Sequence, residues 1–230
     1  MTQPVAVAAQ PPVFRAARAV GVLKPKLQPQ PQGKVFADTL DVRGTAFWLR
    51  EYKVAITCAH VVQDLVVSPI EVAGLLVIGN LGNYLRAIVG AVDFDHDLAI
   101  LRLPPDTAPE LVAKELADGL DIAATVPSVG TPVAYAGFPF GTQLLNSTHS
   151  PTYAEGLVAS TVRHQPYRKE LQISGSVAGG FSGAAIVDKA NPNQVVAVLS
   201  NSPSAEAGQA NIFMAISAEH LLALARLAGS

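Results

Sequence analysis

The sequence contains one cysteine, Cys58, among 230 residues. No intrachain disulfide can form, which excludes a cysteine-stapled secreted scaffold. Charge is also scarce. Asp, Glu, Lys and Arg together make up 15% of the chain, against about 25% in an average globular protein. The formal net charge is −2, so there is no basic excess and nucleic acid is not an expected partner. No apolar run reaches the ~18 residues of a membrane span, so a membrane partner is not expected either. The apolar run at residues 5–9 (VAVAA) lacks a preceding basic region and soon meets Pro11 and Pro12, which does not read as a secretory signal. The expectation is a soluble, cytoplasmic protein. What the chain does have is apolar residues, 50% of the total, with 18 glycines and 17 prolines. That hydrophobicity excludes a wholly disordered chain. The turn formers suit many short strands joined by tight turns.

Residues 1–34 differ from the rest, and LQPQPQG at 27–33 reads as an extended Pro/Gln-rich linker. Before it, residues 13–23 read equally as a short strand or a helical turn. Short β-rich runs then recur at 45–49 (TAFWL), 53–57 (KVAIT), 75–78, 85–92 and 98–103. A second set follows at 131–136, 153–162, 171–173, 184–187, 195–199 and 211–216. This spacing predicts an all-β sandwich or barrel architecture. Between the sets, a Pro- and Ala-rich stretch carries at most one helical turn, at 111–117. At the end, Ser217 can cap a helix whose stripe is Leu221, Leu222, Leu224 and Leu227, with Gly229 as its stop.

Three local signals carry chemistry. His60 lies in TCAHVV directly after an apolar strand, Asp97 opens the run DLAIL, and Ser182 sits in GGFSGAAIV. A serine hydroxyl is a poor nucleophile at neutral pH and needs a base of the histidine type beside it. The imidazole needs a carboxylate on its other nitrogen to fix the tautomer and stabilise the imidazolium. Glycines around the serine allow tight backbone geometry and leave N–H groups to face a developing oxyanion. Each signal alone is common. The ordered set His, Asp, Ser, each at a strand end or turn, is specific. An α/β-hydrolase is disfavoured, because Ala184 replaces the second glycine of its elbow and its triad runs Ser, Asp, His.

On these motifs the sequence resembles the chymotrypsin/trypsin-like serine peptidases, closest to the disulfide-free bacterial HtrA-like branch. Thr57-Cys58-Ala59-His60 is similar to the family's T-A-A-H, Asp97 to Leu101 to D-[IL]-A-[LV]-[LIV], and Gly180-Phe181-Ser182-Gly183 to G-[DN]-S-G. Weaker echoes lie at 44–47, 137–141 and 211–217. The resemblance implies two six-stranded antiparallel β-barrels with the active site between them. The first barrel is expected at 35–110, a connection at 111–127, the second barrel at 128–216 and a C-terminal helix at 217–230.

The resemblance further implies Ser182 as nucleophile, His60 as base and then acid, and Asp97 as the orienting carboxylate. The backbone N–H groups of Gly180 and Ser182 would form the oxyanion hole. Ser200, Asn201 and Ser202 would pair with the substrate backbone, and Ser176 would lie at the base of the specificity pocket. Phe213 stands where a pocket-wall glycine is common, so small or medium apolar side chains are expected before the scissile bond. Phe181 replaces the usual Asp or Asn, and no Ile-Val-Gly-Gly motif is present, so zymogen-type activation is not expected. The implied partner is a polypeptide substrate, with no cofactor and no metal. The alternatives are a protease-fold binding module, or an enzyme latent until a regulatory protein partner orders its oxyanion loop. The remaining readings are structural: Cys58 as a small buried hydrophobe, with redox sensing as the lesser alternative, Trp48 as core, His96 as a solvent-exposed or pocket-rim residue, and His149, His164 and His220 as surface residues.

Overall fold

The computed structural model describes residues 10–24, 39–67, 75–80, 83–139, 150–165, 168–201 and 212–229. The linker at 27–33, Phe140, Gly141, His149, Ser202 and Asn211, singled out above, lie outside them, as do the side chains of His164, Asn201 and Leu227. A short helix, α1 (Pro12–Ala16), leads into β1 (Arg18–Lys24), β2 (Thr39–Leu49) and β3 (Val54–Thr57). Then come α2 (Ala59–Val67), β4 (Leu75–Asn80), β5 (Asn83–Arg86), β6 (Ile88–Asp93) and β7 (Leu98–Arg102). These strands form one sheet in the order β5-β4-β1-β2-β3-β7-β6. Its two edge strands are successive in sequence, joined only by Ala87, so the sheet curls until one bent strand serves both edges.

The second unit follows α3 (Pro109–Ala117) and β8 (Asp121–Ile122). It consists of β9 (Pro132–Gly137), β10 (Thr152–Gln165), β11 (Arg168–Gly175), β12 (Ala185–Asp188), β13 (Asn191–Asn201) and β14 (Ile212–Ser217). The order β12-β9-β10-β11-β14-β13 closes on itself through a β12–β13 pairing, with β8 added in parallel beside β13. The result is the expected all-β double-barrel architecture, finished by α4 (Ala218–Gly229). Ser217 accepts the Glu219 N–H at 3.5 Å across the start of α4.

The cores explain why these elements form. Both faces of β3 are buried, from Val54 at 3% exposure to Thr57 at 0%, which suits its unbroken apolar run. One buried cluster joins Phe47, Ile56 and Ile100 of the first unit to Val195 and Val198 of β13 and to Leu221 and Leu224 of α4. Burying each such side chain contributes about 1.5–3 kcal/mol, so α4 locks the two barrels together. Trp48 lies in this core as expected, 2% exposed, with Nε1 donating to Glu115 Oε2 at 3.0 Å.

Two expectations change. The first barrel does not begin at 35, because β1 lies in the middle of its sheet and pairs with both β2 and β4. Both readings of residues 13–23 are realised in succession, helix and then strand. Arg18 is almost fully buried and donates to Glu115 Oε2 of α3 at 2.6 Å, which ties this segment to the inter-barrel connection. His220 is not a lone surface residue. Its ring stacks on His96 with centroids 4.1 Å apart, and its Nε2 accepts the Lys169 N–H.

Candidate active site

Strand register brings the first two site residues together. In the β3–β7 pair Thr57 faces Ala99. Two residues beyond that pair, the Ala59 N–H donates to the Asp97 carbonyl at 3.1 Å. Asp97 ends a turn rather than opening a strand, with φ +54, a left-handed conformation that Asp tolerates better than most residues. This turn aims its carboxylate at the first turn of α2, where His60 sits. His60 Nδ1 lies 2.9 and 3.0 Å from the two Asp97 oxygens, and the His60 backbone N–H donates to Oδ1 at 3.0 Å. An ionised carboxylate only accepts, so Nδ1 carries the ring proton and Nε2 is left as the basic nitrogen. Ser200 adds its hydroxyl to Asp97 Oδ2 at 2.5 Å. Burial pushes the Asp97 carboxyl up, but the hydrogen bonds from His60 and Ser200 outweigh it and hold the group below its ordinary range.

Ser182 lies in the turn between β11 and β12. Its carbonyl accepts the Thr45 N–H at 2.8 Å, Phe181 N–H donates to Ala178 O at 3.3 Å, and Gly183 N–H donates to Leu199 O at 2.7 Å. Gly183 has φ +90, and a Cβ there would sit 2.1 Å from the Thr45 carbonyl oxygen, so this position requires glycine. Among the described residues, neither Gly180 N–H nor Ser182 N–H has an acceptor within the protein. Gly180 has φ +103. The two donors are therefore available to an external oxygen.

Ser182 Oγ donates to the Ser200 carbonyl at 3.0 Å. Among the described residues, His60 Nε2 has no hydrogen bond.

The other expected residues are distributed as follows. Ser176 is exposed, and its carbonyl accepts the Tyr135 hydroxyl at 2.9 Å. Phe213 is fully buried in the second barrel rather than standing free at a wall. Its ring meets Tyr135 edge to face at 5.1 Å, and Phe181 meets Tyr135 the same way at 5.7 Å. A Cβ on Gly175, just before Ser176, would lie 2.6 Å from the Tyr135 hydroxyl. Ser200 is buried near the end of β13, and Asn201 closes that strand. An open groove of about 550 Å³ is lined by His60 together with Arg43, Val61, Gln63, Asp64 and Val67.

Cys58 is fully buried, and its thiol donates to the Leu199 carbonyl at 3.2 Å. Burial and the nearby Asp97 charge push its pKa well up, so the group is a neutral thiol. Ligand atoms of Cys58, His60 and Asp97 lie within 4.8 Å of one another, the spacing of a potential metal site. The protons between these groups are already shared among themselves and with Leu199 and Ser200.

Two contributors escape the sequence motifs. Ser200 acts on Asp97 through its side chain, beyond the backbone role expected of it. Thr45 holds the Ser182 loop from the first barrel. Ser200 lies near the end of β13 and Thr45 in the middle of β2, and although Thr45 falls within the weak echo at 44–47, nothing local in the sequence assigns either hydroxyl its partner.

Two β-barrels with this cleft define the trypsin-like class of serine peptidases. The trypsin-like peptidase domain family model matches residues 44–198, and the chain belongs to that family. It is a trypsin-like serine protease by family. No curated protein sequence matches it significantly. Among solved structures it is similar to the active form of the Rv3671c protease from M. tuberculosis, at 19% identity and TM-score 0.63, over 97% of this chain and 92% of that one. It is also similar to the HtrA-type protease AlgW with a decapeptide, at 17% identity and TM-score 0.64, over 93% of this chain and 63% of that one. Deg5 aligns at 14% identity and TM-score 0.64, over 91% of this chain and 87% of that one. At these identities the likeness establishes the fold. Among the described residues, no helix is long and apolar enough to cross a membrane.

Proposed function

We propose that this protein is a serine endopeptidase acting through Ser182, His60 and Asp97. The observation that supports the reading is a hydrogen-bonded chain: Asp97 holds His60 Nδ1 and accepts the Ser200 hydroxyl, the Ser200 carbonyl accepts the Ser182 hydroxyl, and among the described residues the N–H groups of Gly180 and Ser182 are uncommitted. The reaction begins when the Ser182 hydroxyl rotates from the Ser200 carbonyl to His60 Nε2. Ser182 Oγ bonds to the scissile carbonyl carbon as its proton passes to Nε2, and the C=O electron pair moves onto oxygen. The N–H groups of Gly180 and Ser182 hold that oxyanion. Collapse breaks the C–N bond, and the imidazolium returns its proton to the leaving amine. A water then repeats the sequence on the acyl-enzyme with His60 as base, releasing the acid and restoring Ser182.

Substrate binding follows from the same geometry. Backbone groups of Ser200 and Asn201, continued by Ser202, pair with the polypeptide as an added strand. The Tyr135 hydroxyl and the Phe213 ring fill the space against Gly175, beside Ser176. Small or medium apolar side chains are therefore preferred before the scissile bond, and a peptide-library profile dominated by Arg, Lys, Asp or Glu would refute this. The free, buried thiol of Cys58 is compatible with a reducing compartment, and we place the protein in the cytoplasm.

The decisive test is labelling with a fluorophosphonate. Wild type is expected to react and Ser182→Ala not to. Equal labelling of both overturns the assignment. A second reading, an enzyme latent until a regulatory protein binds, is favoured by one observation: the resting hydroxyl of Ser182 is committed to Ser200. Slow labelling of the purified protein that accelerates at least tenfold when a regulatory protein partner is added supports this reading. Rapid labelling of the isolated protein removes it.

A further inference from the structure

Thr45 is fully buried in β2, and its polar atoms are all engaged. Its N–H donates to the Ser182 carbonyl at 2.8 Å. Its carbonyl accepts the Thr57 hydroxyl at 2.7 Å. Its own hydroxyl donates to the Gly180 carbonyl at 2.7 Å and accepts the Phe138 N–H at 3.1 Å. A residue of the first barrel thus grips two of the three successive carbonyls 180–182, while the Ala184 N–H takes the third, that of Phe181, at 2.9 Å.

We infer that the Thr45 hydroxyl is a positioning group for the oxyanion-binding N–H pair of Gly180 and Ser182, an inference that rests on the function proposed above. Within a peptide group the C=O and the following N–H point in opposite directions, so fixing a carbonyl inward fixes its partner N–H. Holding Gly180 O orients the Gly180–Phe181 peptide and holding Ser182 O orients the Ser182–Gly183 peptide; between them lies the Phe181–Ser182 peptide that supplies the Ser182 N–H, itself held by the Ala184 N–H on Phe181 O. Sterics alone do not hold Gly180. It has the permissive φ of +103, and a Cβ on neighbouring Gly179 would meet nothing within 4 Å. The slot for the hydroxyl is closely fitted on its other side. A Cβ on Gly137 would lie 2.7 Å from Thr45 Oγ1 and 2.8 Å from the Phe181 ring. Because Phe138 N–H completes the hydroxyl's bonding, the end of β9 also helps orient the loop. Buried Phe181 adds an apolar anchor, but it sets no peptide plane.

The test compares Thr45→Val, which keeps the shape and removes the hydroxyl, with Thr45→Ser, which keeps the hydroxyl. With a chromogenic peptide, Thr45→Val is expected to lower kcat roughly 10- to 100-fold, with KM within about threefold. Affinity for a peptide aldehyde, whose hemiacetal oxygen occupies the oxyanion site, is expected to fall by the same factor. Thr45→Ser is expected to retain most of both. Wild-type kcat in Thr45→Val, or equal losses in the two variants, overturns the proposal. A turnover-independent readout separates this from the function itself. Amide exchange at Phe181 and Gly183 is expected to accelerate in Thr45→Val and not in Thr45→Ser, whether or not Ser182 reacts with a fluorophosphonate. Unchanged protection overturns the proposal even in an inactive protein. Where Thr45→Val does not fold, Gly137→Ala, which crowds the same hydroxyl, is expected to give the same kcat loss and faster exchange. Wild-type values in Gly137→Ala count against the proposal.

Discussion

The Ser200 hydroxyl donates to Asp97 Oδ2 at 2.5 Å, across 103 residues of sequence. The carbonyl of the same serine accepts the Ser182 hydroxyl at 3.0 Å. One residue at the end of β13 thereby touches both the carboxylate behind His60 and the resting nucleophile, so the two barrels meet in a single hydrogen-bonded chain.

That bond predicts a pH dependence. Asp97 has a depressed folded-state pKa, so its stabilising contribution is complete well above the unfolded value of about 3.9 and is lost as pH falls through the folded value. Ser200→Ala removes one donor and raises the folded value. The variant is expected to be about 1.5–3 kcal/mol less stable at pH 7, with the gap from wild type narrowing by pH 3. Urea unfolding at the two pH values measures it. An equal deficit at both would show that Ser200 does not act through the Asp97 charge.

Two glycines of similar φ make a controlled pair. Gly183 (φ +90) and Gly130 (φ +86) both pay backbone strain when replaced by alanine, of about 1–2 kcal/mol. Only at Gly183 does the new Cβ also meet backbone, 2.1 Å from Thr45 O, whereas at Gly130 nothing lies within 4 Å. Gly183→Ala is expected to cost at least about 3 kcal/mol or to prevent folding, and Gly130→Ala only the strain. Thermal unfolding of both variants is the measurement.

Cys58 is expected to be inert in the folded protein. Its thiol is buried, and burial and the Asp97 charge both keep it protonated. A thiol reagent at pH 8 is expected to modify it only as fast as the protein unfolds, and to react at once in denaturant. Rapid modification of native protein would contradict the placement of Cys58 behind the Asp97–His60 pair.

Glu115 holds a buried cation. Its Oε2 accepts from Arg18 Nε at 2.6 Å and from Trp48 Nε1 at 3.0 Å. Glu115→Ala leaves the Arg18 guanidinium, 3% exposed, without its nearest carboxylate and is expected to destabilise the protein by about 3 kcal/mol. Trp48 is the only tryptophan, so its emission reports the change directly. Unaltered emission and stability would mean that β1 is not anchored by α3.

Much of this was legible in the sequence because the chemistry restricts residue type. His60, Asp97 and Ser182 stand out as a histidine, a carboxylate and a glycine-flanked serine at strand ends. The strands read from their β-branched runs, as in VAIT and VVAVLS. What did not read depends on pairing between distant segments. RAVGVLK becomes β1 only because β2 and β4 flank it, and its Pro/Gln-rich neighbourhood concealed that. The roles of the Ser200 and Thr45 hydroxyls depend on register and on the turn at 180–183, which no local pattern encodes. The Ser182 hydroxyl direction is a choice between two acceptors, not a property of its motif.

The bend at Ala87 has a consequence for the protein in a crowded solution. Because β5 and β6 are consecutive parts of one strand, the first sheet ends in two short edges of 4 and 6 residues rather than one long one. Short edges give neighbouring chains little unpaired backbone to recruit. A change that straightened this corner would merge the two short edges into one longer edge, open to edge-to-edge pairing with neighbouring chains.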